Sequence, residues 1–274
     1  FRPEIHAVRP HPGQAASAAR LWKLLEDSEI RESHRYDDPR VHDAYSLRCM
    51  PQVHGASREV LGYVRRIIAT EINSATDNPL IFPEAGLVVS AGNFHAQIVA
   101  QALDFLAIAV ADLASISERR IERLLNPDLS ELPAFLARDP GVQSGFMIAQ
   151  VAVADLIAEL RVLAHPASVD SVSTSGAKED HVSMGLAAAR KARRAVSDLE
   201  YVAAVELMCA AQALEYRRPL TPGRGVRRAY DIVREHVPPL EGDRMLTADI
   251  EALRDAIRRG RFADVTTEAV AAVS

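Results

Sequence analysis

Two stretches constrain the fold of this chain more than any others. Leu103 to Ile116 and Ile148 to Ala164 are apolar on nearly every side when read at the helical period. A helix of that kind has to be covered all round. A chain of 274 residues has room to bury about one such helix centrally. Two of them predict self-association, or a further piece of polypeptide that covers what this one leaves bare.

Composition favours helices over sheets. Hydrophobic residues make up 48% of the chain and aromatics only 5%. Small, Ala-rich apolar surfaces suit closely packed helices better than a β-sandwich. The formal net charge is −5 with both signs interspersed, so the basic stripe of a nucleic-acid surface is missing. The one basic cluster, Arg190, Lys191, Arg193 and Arg194, falls in a helical pattern and reads as a solvated face. Cys49 and Cys209 lack metal-ligand spacing; no metal is expected, and two lone cysteines fit a reducing, cytoplasmic setting. No membrane span is expected, because the best candidate, Leu103 to Ile116, is short and interrupted by Asp104 and Asp112. The first residue is Phe1 rather than Met, and the chain reads as a fragment of a longer polypeptide.

Read for period, the chain is all-α with one small β-hairpin. Helices are expected from Gly13 to Glu26, Pro39 to Cys49 with Asp38 as N-cap, and Gln52 to Thr76. Further helices are expected from Asn93 to Leu125, Val142 to Ala164 and Glu179 to Tyr216, then two short amphipathic ones beyond the Pro- and Gly-rich break at Arg218 to Arg224. Leu80-Ile81-Phe82 and Leu87-Val88-Val89 flank Pro83-Glu84-Ala85-Gly86 as the hairpin.

Three polar clusters could carry chemistry. His42, Tyr45 and Arg48 follow at i, i+3 steps, so on a helix neighbours share a face. A phenol beside a guanidinium can handle a proton while the guanidinium holds a carboxylate. A packed Tyr and a solvated Arg on an amphipathic helix fit the same spacing. Ser90-Ala91-Gly92-Asn93-Phe94-His95 reads as a turn and cap before a helix, or as a loop presenting Phe94 and His95 to a ligand. In Ser171 to His181, Glu179 and Asp180 open the expected helix, where carboxylates complement the dipole. A Glu at a site mouth could also grip a basic ring, and spacing does not choose between these. Arg9-Pro10-His11-Pro12-Gly13-Gln14 reads only as a rigid approach to a helix. No phosphate-binding loop, dinucleotide fingerprint, H-E-x-x-H or G-x-S-x-G occurs.

Taken in order, five segments resemble the aromatic amino-acid lyase family, and within it the histidine ammonia-lyases. They are Arg9 to Gln14; Asp43-Ala44-Tyr45-Ser46-Leu47-Arg48-Cys49 with Pro51-Gln52; Asn73-Ser74-Ala75-Thr76-Asp77-Asn78-Pro79-Leu80; Gly92-Asn93-Phe94-His95; and Glu179-Asp180-His181-Val182-Ser183-Met184. The resemblance spans nearly the whole chain. It implies long antiparallel helices forming the central bundle of a homotetramer, with residues 1–274 as the C-terminal portion of a single lyase domain. It also implies deamination of L-histidine to trans-urocanate through a 4-methylidene-imidazol-5-one (MIO) electrophile, made from an internal Ala-Ser-Gly and needing no metal. No Ala-Ser-Gly occurs in this sequence. The MIO-bearing N-terminal half is therefore expected upstream, as a required partner, and this chain alone is expected to be inactive.

On the same resemblance Tyr45 and Glu179 are the catalytic residues, Tyr45 handling a proton and Glu179 contacting the imidazole. Arg48 binds the substrate carboxylate, Phe94 packs beside electrophile and substrate, and His42 belongs to the substrate-binding set. His42 and Lys178 stand where the family frequently has Gln. The alternative chemistry is a tyrosine or phenylalanine ammonia-lyase or 2,3-aminomutase. The alternative from another class is a non-catalytic helical oligomerisation fragment.

Overall fold

The computed structural model describes residues 1–36, 38–263 and 265. A short helix α1 (Pro3–Ala7) leads into α2 (Pro12–Leu24), which starts with Pro in its first turn, where no N–H partner is lost. Helix α3 (Glu29–Glu32) is capped by the Ser28 hydroxyl, which accepts from Arg31 N–H at 3.2 Å. The single turn α4 (Tyr45–Arg48) and the long α5 (Met50–Glu71) follow, divided by Cys49. Helix α2 lies close along α5: a Cβ on Gly55 would come within 2.5 Å of the Gln14 backbone nitrogen, so only glycine fits there.

Strands β1 (Leu80–Phe82) and β2 (Leu87–Val89) form the expected hairpin, with Leu80 opposite Val89 and Gly86 taking a left-handed φ of +60°. Then come α6 (Gln97–Leu125), α7 (Pro127–Ser130), α8 (Met147–Leu163), α9 (Gly185–Glu215), α10 (Arg224–His236) and α11 (Thr247–Arg258).

Cross-helix contacts give the directions. Tyr63 meets Phe105 edge-on with ring centroids 6.2 Å apart, while His54 lies by Arg120, so α5 runs antiparallel to α6. Glu159, late in α8, pairs at 2.8 Å with Arg194, early in α9, so these two are antiparallel as well. Lys191 pairs with Asp104 at 3.2 Å and Glu206 with Arg120, so α6 and α9 run parallel up the middle. Successive long helices thus alternate in direction. Their shared core includes Ile121, Leu125, Leu160, Val202 and Met208, all almost fully buried. Each large aliphatic side chain so buried contributes on the order of 1.5–3 kcal/mol.

The all-round apolar helices are only partly covered. Phe105 and Ile108 on α6, and Ile148, Val151 and Val162 on α8, are exposed. Helix α6, 29 residues long with a stretch of mean hydropathy 1.7, is long and apolar enough by composition to cross a membrane, beyond the shorter span read from the sequence. It also carries the buried polar residues Asp104, Ser117 and Glu118, as the core helix of a bundle does.

Four expectations need correction. Residues 39–44 are not helical: the Asp38 carboxylate does bind Arg40 N–H at 2.9 Å, as an N-cap would, but the backbone is extended at Ala44 (φ −61°, ψ 155°), so no helix runs through to α4. Helix α9 begins at Gly185, not Glu179, since Thr174 and Glu179 form an isolated antiparallel bridge and Met184 is left-handed at φ +55°. Helix α8 begins at Met147 rather than Val142, because Ser144 and Gly145 N–H groups donate to the Asp243 carboxylate at 2.8 and 2.9 Å. The basic cluster is not simply solvated. Lys191 reaches the almost fully buried Asp104. Burial would raise the Asp104 carboxyl, but the bonds from Ser168 and Lys191 outweigh it and hold it below the usual carboxylate range.

Candidate active site

The turn carrying Tyr45 and Arg48 is too short to hold itself. Its helical bonds include Leu47 and Arg48 N–H to Ala44 C=O at 2.9 and 3.0 Å and Cys49 N–H to Tyr45 C=O at 2.9 Å. It rests on α6, where the Arg120 guanidinium is the seat. Arg120 Nε and Nη2 donate to the Glu206 carboxylate of α9, which also accepts from the Ser117 hydroxyl. Its third nitrogen, Nη1, lies 3.5 Å from both Ser46 C=O and His54 Nε2. Burial first, and then the Arg120 charge, push the His54 imidazole down to about 4, so the ring is neutral with a lone pair facing Arg120. The side chains of Arg120 and Glu206 are only 12% and 23% exposed, so this ion pair belongs to the interior.

Above that seat, the Arg48 guanidinium carbon lies 4.9 Å from the centroid of the Tyr45 ring. Phenol and guanidinium are together, as the i, i+3 spacing predicted. Tyr45 is 70% exposed, and among the described residues no carboxylate pairs with Arg48. His42 is the exception within its cluster. It sits in the non-helical approach to α4, exposed, so it does not share a helix face with Tyr45.

The second cluster lies at the other end of α6. Phe94 is 55% exposed in the turn before that helix, and Gln97, not Asn93, starts the helix. Its neighbour His95 donates from Nε2 to His181 C=O at 2.8 Å, and the two imidazoles lie parallel within 9° at 5.9 Å between centroids. That bond joins the Phe94 segment to the one bearing Glu179. Thr174 and Glu179 exchange backbone bonds of 2.8 and 3.4 Å, and the Thr174 hydroxyl donates to Glu179 Oε2 at 2.8 Å. Gly185 lets α9 start against α6, since a Cβ there would sit 3.2 Å from Ala96 Cβ. Standing six residues before α9, Glu179 has no helix N-terminus to complement, which removes the dipole reading. No cation pairs with its carboxylate among the described residues.

The structure therefore brings Tyr45 to Arg48 and the Phe94 segment to the Glu179 segment, but not the two ends to each other. At about 1.5 Å per residue, the 24 positions from Ala96 to Arg120 put them roughly 35 Å apart along α6. No group of three metal-ligating side chains occurs among the described residues. Sequence reasoning missed Arg120, Glu206 and His54. One signal was present: Glu206 is a lone charge inside the apolar run Val202 to Ala211, and such a charge needs a buried partner.

Residues 1–235 match the family described as aromatic amino acid lyase. A histidine ammonia-lyase of Myxococcus xanthus is 53% identical over 271 residues, covering 99% of this chain and 53% of its own length. The crystal structure of a histidine ammonia-lyase from Trypanosoma cruzi superimposes with a TM-score of 0.89 at 48% identity, over 98% of this chain and 50% of that one. The tyrosine aminomutase of Streptomyces globisporus does so with a TM-score of 0.85 at 39% identity, over 95% and 53%. The chain thus spans about half the length of the curated relatives it matches. With the family match covering both site-bearing ends of α6 and most of the bundle between them, the chain belongs to the aromatic amino acid lyase family.

Proposed function

We propose that this chain is the C-terminal portion of an enzyme that deaminates L-histidine to trans-urocanate and ammonia, working in the cytoplasm as a homotetramer. One observation carries the substrate class. Among the described residues no carboxylate pairs with Arg48 and no cation with Glu179, so the two exposed clusters offer an unpaired charge of each sign. An α-amino acid with a basic ring complements both. Because those charges lie roughly 35 Å apart along α6, one site needs α4 from one copy and the Phe94 and Glu179 loops from another. The bare apolar faces of α6 and α8 supply the surface for that association.

The MIO ring of the family supplies, when present, an electrophile that turns the substrate amine into a leaving group. The residues here fit a planar, uncharged ring, since the Tyr45 ring of one copy and the Phe94 ring of another are both bare and would be covered by one where the copies meet. Arg48 holds the substrate carboxylate through two parallel N–H bonds, which also fixes the α-carbon. Tyr45, whose ring lies against that guanidinium, presents its hydroxyl to the reacting carbons and handles a proton there. The Glu179 carboxylate accepts from an imidazole N–H, selecting a ring that can donate. Phe94 excludes water beside it, and His42 lines the approach to Tyr45.

The complete polypeptide should form urocanate, followed by its ultraviolet absorbance, from L-histidine. Turnover of tyrosine or phenylalanine in place of histidine would make it an aminomutase or ammonia-lyase of that branch. Glu179→Gln should lower kcat/KM for histidine about tenfold or more, with the melting temperature unchanged. Unchanged kinetics in that variant would remove Glu179 from substrate recognition.

A further inference from the structure

We propose that Thr174 is a positioning residue for Glu179, its hydroxyl holding the carboxylate in the orientation that reads a ring N–H and so setting specificity for basic rings. The inference rests on the reading of Glu179 given above. An exposed Glu has three free side-chain torsions, so left alone its carboxylate samples many directions. Here Oε2 accepts from Thr174 Oγ1 at 2.8 Å. An ionised carboxylate cannot donate, so the hydroxyl proton points at Glu179, and Oε1 stays free for a ligand.

The backbone around this bond is already closed without it. Thr174 N–H donates to Glu179 C=O at 2.8 Å, and Glu179 N–H returns to Thr174 C=O at 3.4 Å. The same hydroxyl lies 3.5 Å from Glu179 C=O, too far to compete with the carboxylate. Between the two residues, Ser175, Gly176 and Ala177 are all left-handed, at φ +52°, +62° and +63°. For Ser and Ala that conformation is uncommon and persists only where the surroundings over-determine it. The 174–179 bridge on one side and the His95 bond to His181 C=O on the other supply that constraint. With the loop fixed by its backbone, the hydroxyl has one remaining task, which is to aim the carboxylate. Threonine suits the task because its β-branch restricts χ1.

The test uses the complete enzyme and four variants: Thr174→Val, which keeps the shape without the hydroxyl; Thr174→Ser, which keeps the hydroxyl; Glu179→Gln; and Thr174→Val combined with Glu179→Gln. Loss of a hydrogen bond to a charged group predicts about a tenfold fall in kcat/KM for L-histidine with Thr174→Val, and a change within about twofold with Thr174→Ser. Melting temperatures should match the parent enzyme, because no backbone bond is lost. On the Glu179→Gln background, Thr174→Val should add nothing, since the group it aims is already altered. Parent kinetics in Thr174→Val beside an impaired Glu179→Gln would overturn the positioning role while leaving Glu179 in place. So would an equal loss on both backgrounds, or a loss that follows a lowered melting temperature and is not rescued by Ser. An unimpaired Glu179→Gln would instead remove the reading on which the inference rests.

Discussion

At the C-terminal end of α6, the turn bearing Tyr45 and Arg48 sits on a buried ion pair, Arg120 with Glu206, inside the helical bundle. At the N-terminal end, Phe94 and Glu179 stand on exposed loops held by hydrogen bonds, His95 to His181 and the backbone and side-chain bonds between Thr174 and Glu179. The first arrangement couples its residues to the stability of the core, because a charge left behind in the interior is costly. The second couples them only to each other. Mutation of the supporting residues should therefore separate the ends: loss of Arg120 or Glu206 lowers stability, while loss of Thr174 alters recognition with stability unchanged.

The largest expected effect ignores that division, since the proposed reaction draws on the family's electrophile at both ends and this sequence contains no Ala-Ser-Gly. Residues 1–274 expressed alone should form no urocanate from histidine, a loss of several orders of magnitude on the order of 10⁴-fold or more. Their size in solution, read by light scattering, should be above that of a monomer because the apolar faces of α6 and α8 are bare. A monomer that turns over histidine would break both ideas at once.

Next in size is the buried seat. Arg120→Ala in the complete enzyme should destabilise it by about 3–5 kcal/mol, because Glu206 is left in the interior without its partner. Arg120→Met with Glu206→Leu should cost much less than either single change, since the unpaired charge is gone. Denaturant unfolding of Arg120→Ala, the double variant and its two single variants checks this. An Arg120→Ala enzyme as stable as the parent would erase the contrast between the two ends.

The smallest effect is in pH. His54 is neutral in the fold, pushed down to about 4 from an ordinary 6.5. The native state thus binds fewer protons than the unfolded chain between those values, so stability falls as pH drops through that window. The expected contribution is on the order of 2 kcal/mol, complete near pH 7 and lost by about pH 4. His54→Gln should flatten this part of the stability profile in thermal melts at stepped pH. An unchanged profile would mean that His54 titrates in the fold as it does in the unfolded chain, so that burial and the Arg120 charge do not act on it.

The long helices, the hairpin and its register were legible in the sequence because period and turn chemistry are local properties. Leu80 to Val89 needed only Pro83 and Gly86 between two apolar triplets. The residues of both clusters were legible too, as short runs that resemble a family. Three features were not legible in the helical period, two of them set by nearby residues and one by contact between distant helices. Residues 39–44 stay out of the helix because the backbone is extended at Ala44, although Asp38 makes the bond expected of an N-cap. Glu179 lies in a bridged loop because Thr174 pairs with it before α9 can start. The seat of α4 joins Ser46, Arg120 and Glu206, which stand 74 and 86 residues apart. Helical period is written into neighbouring residues and can be read one turn at a time. The partner of a buried charge is set by which distant helix packs against it, and no local pattern of side chains records that choice.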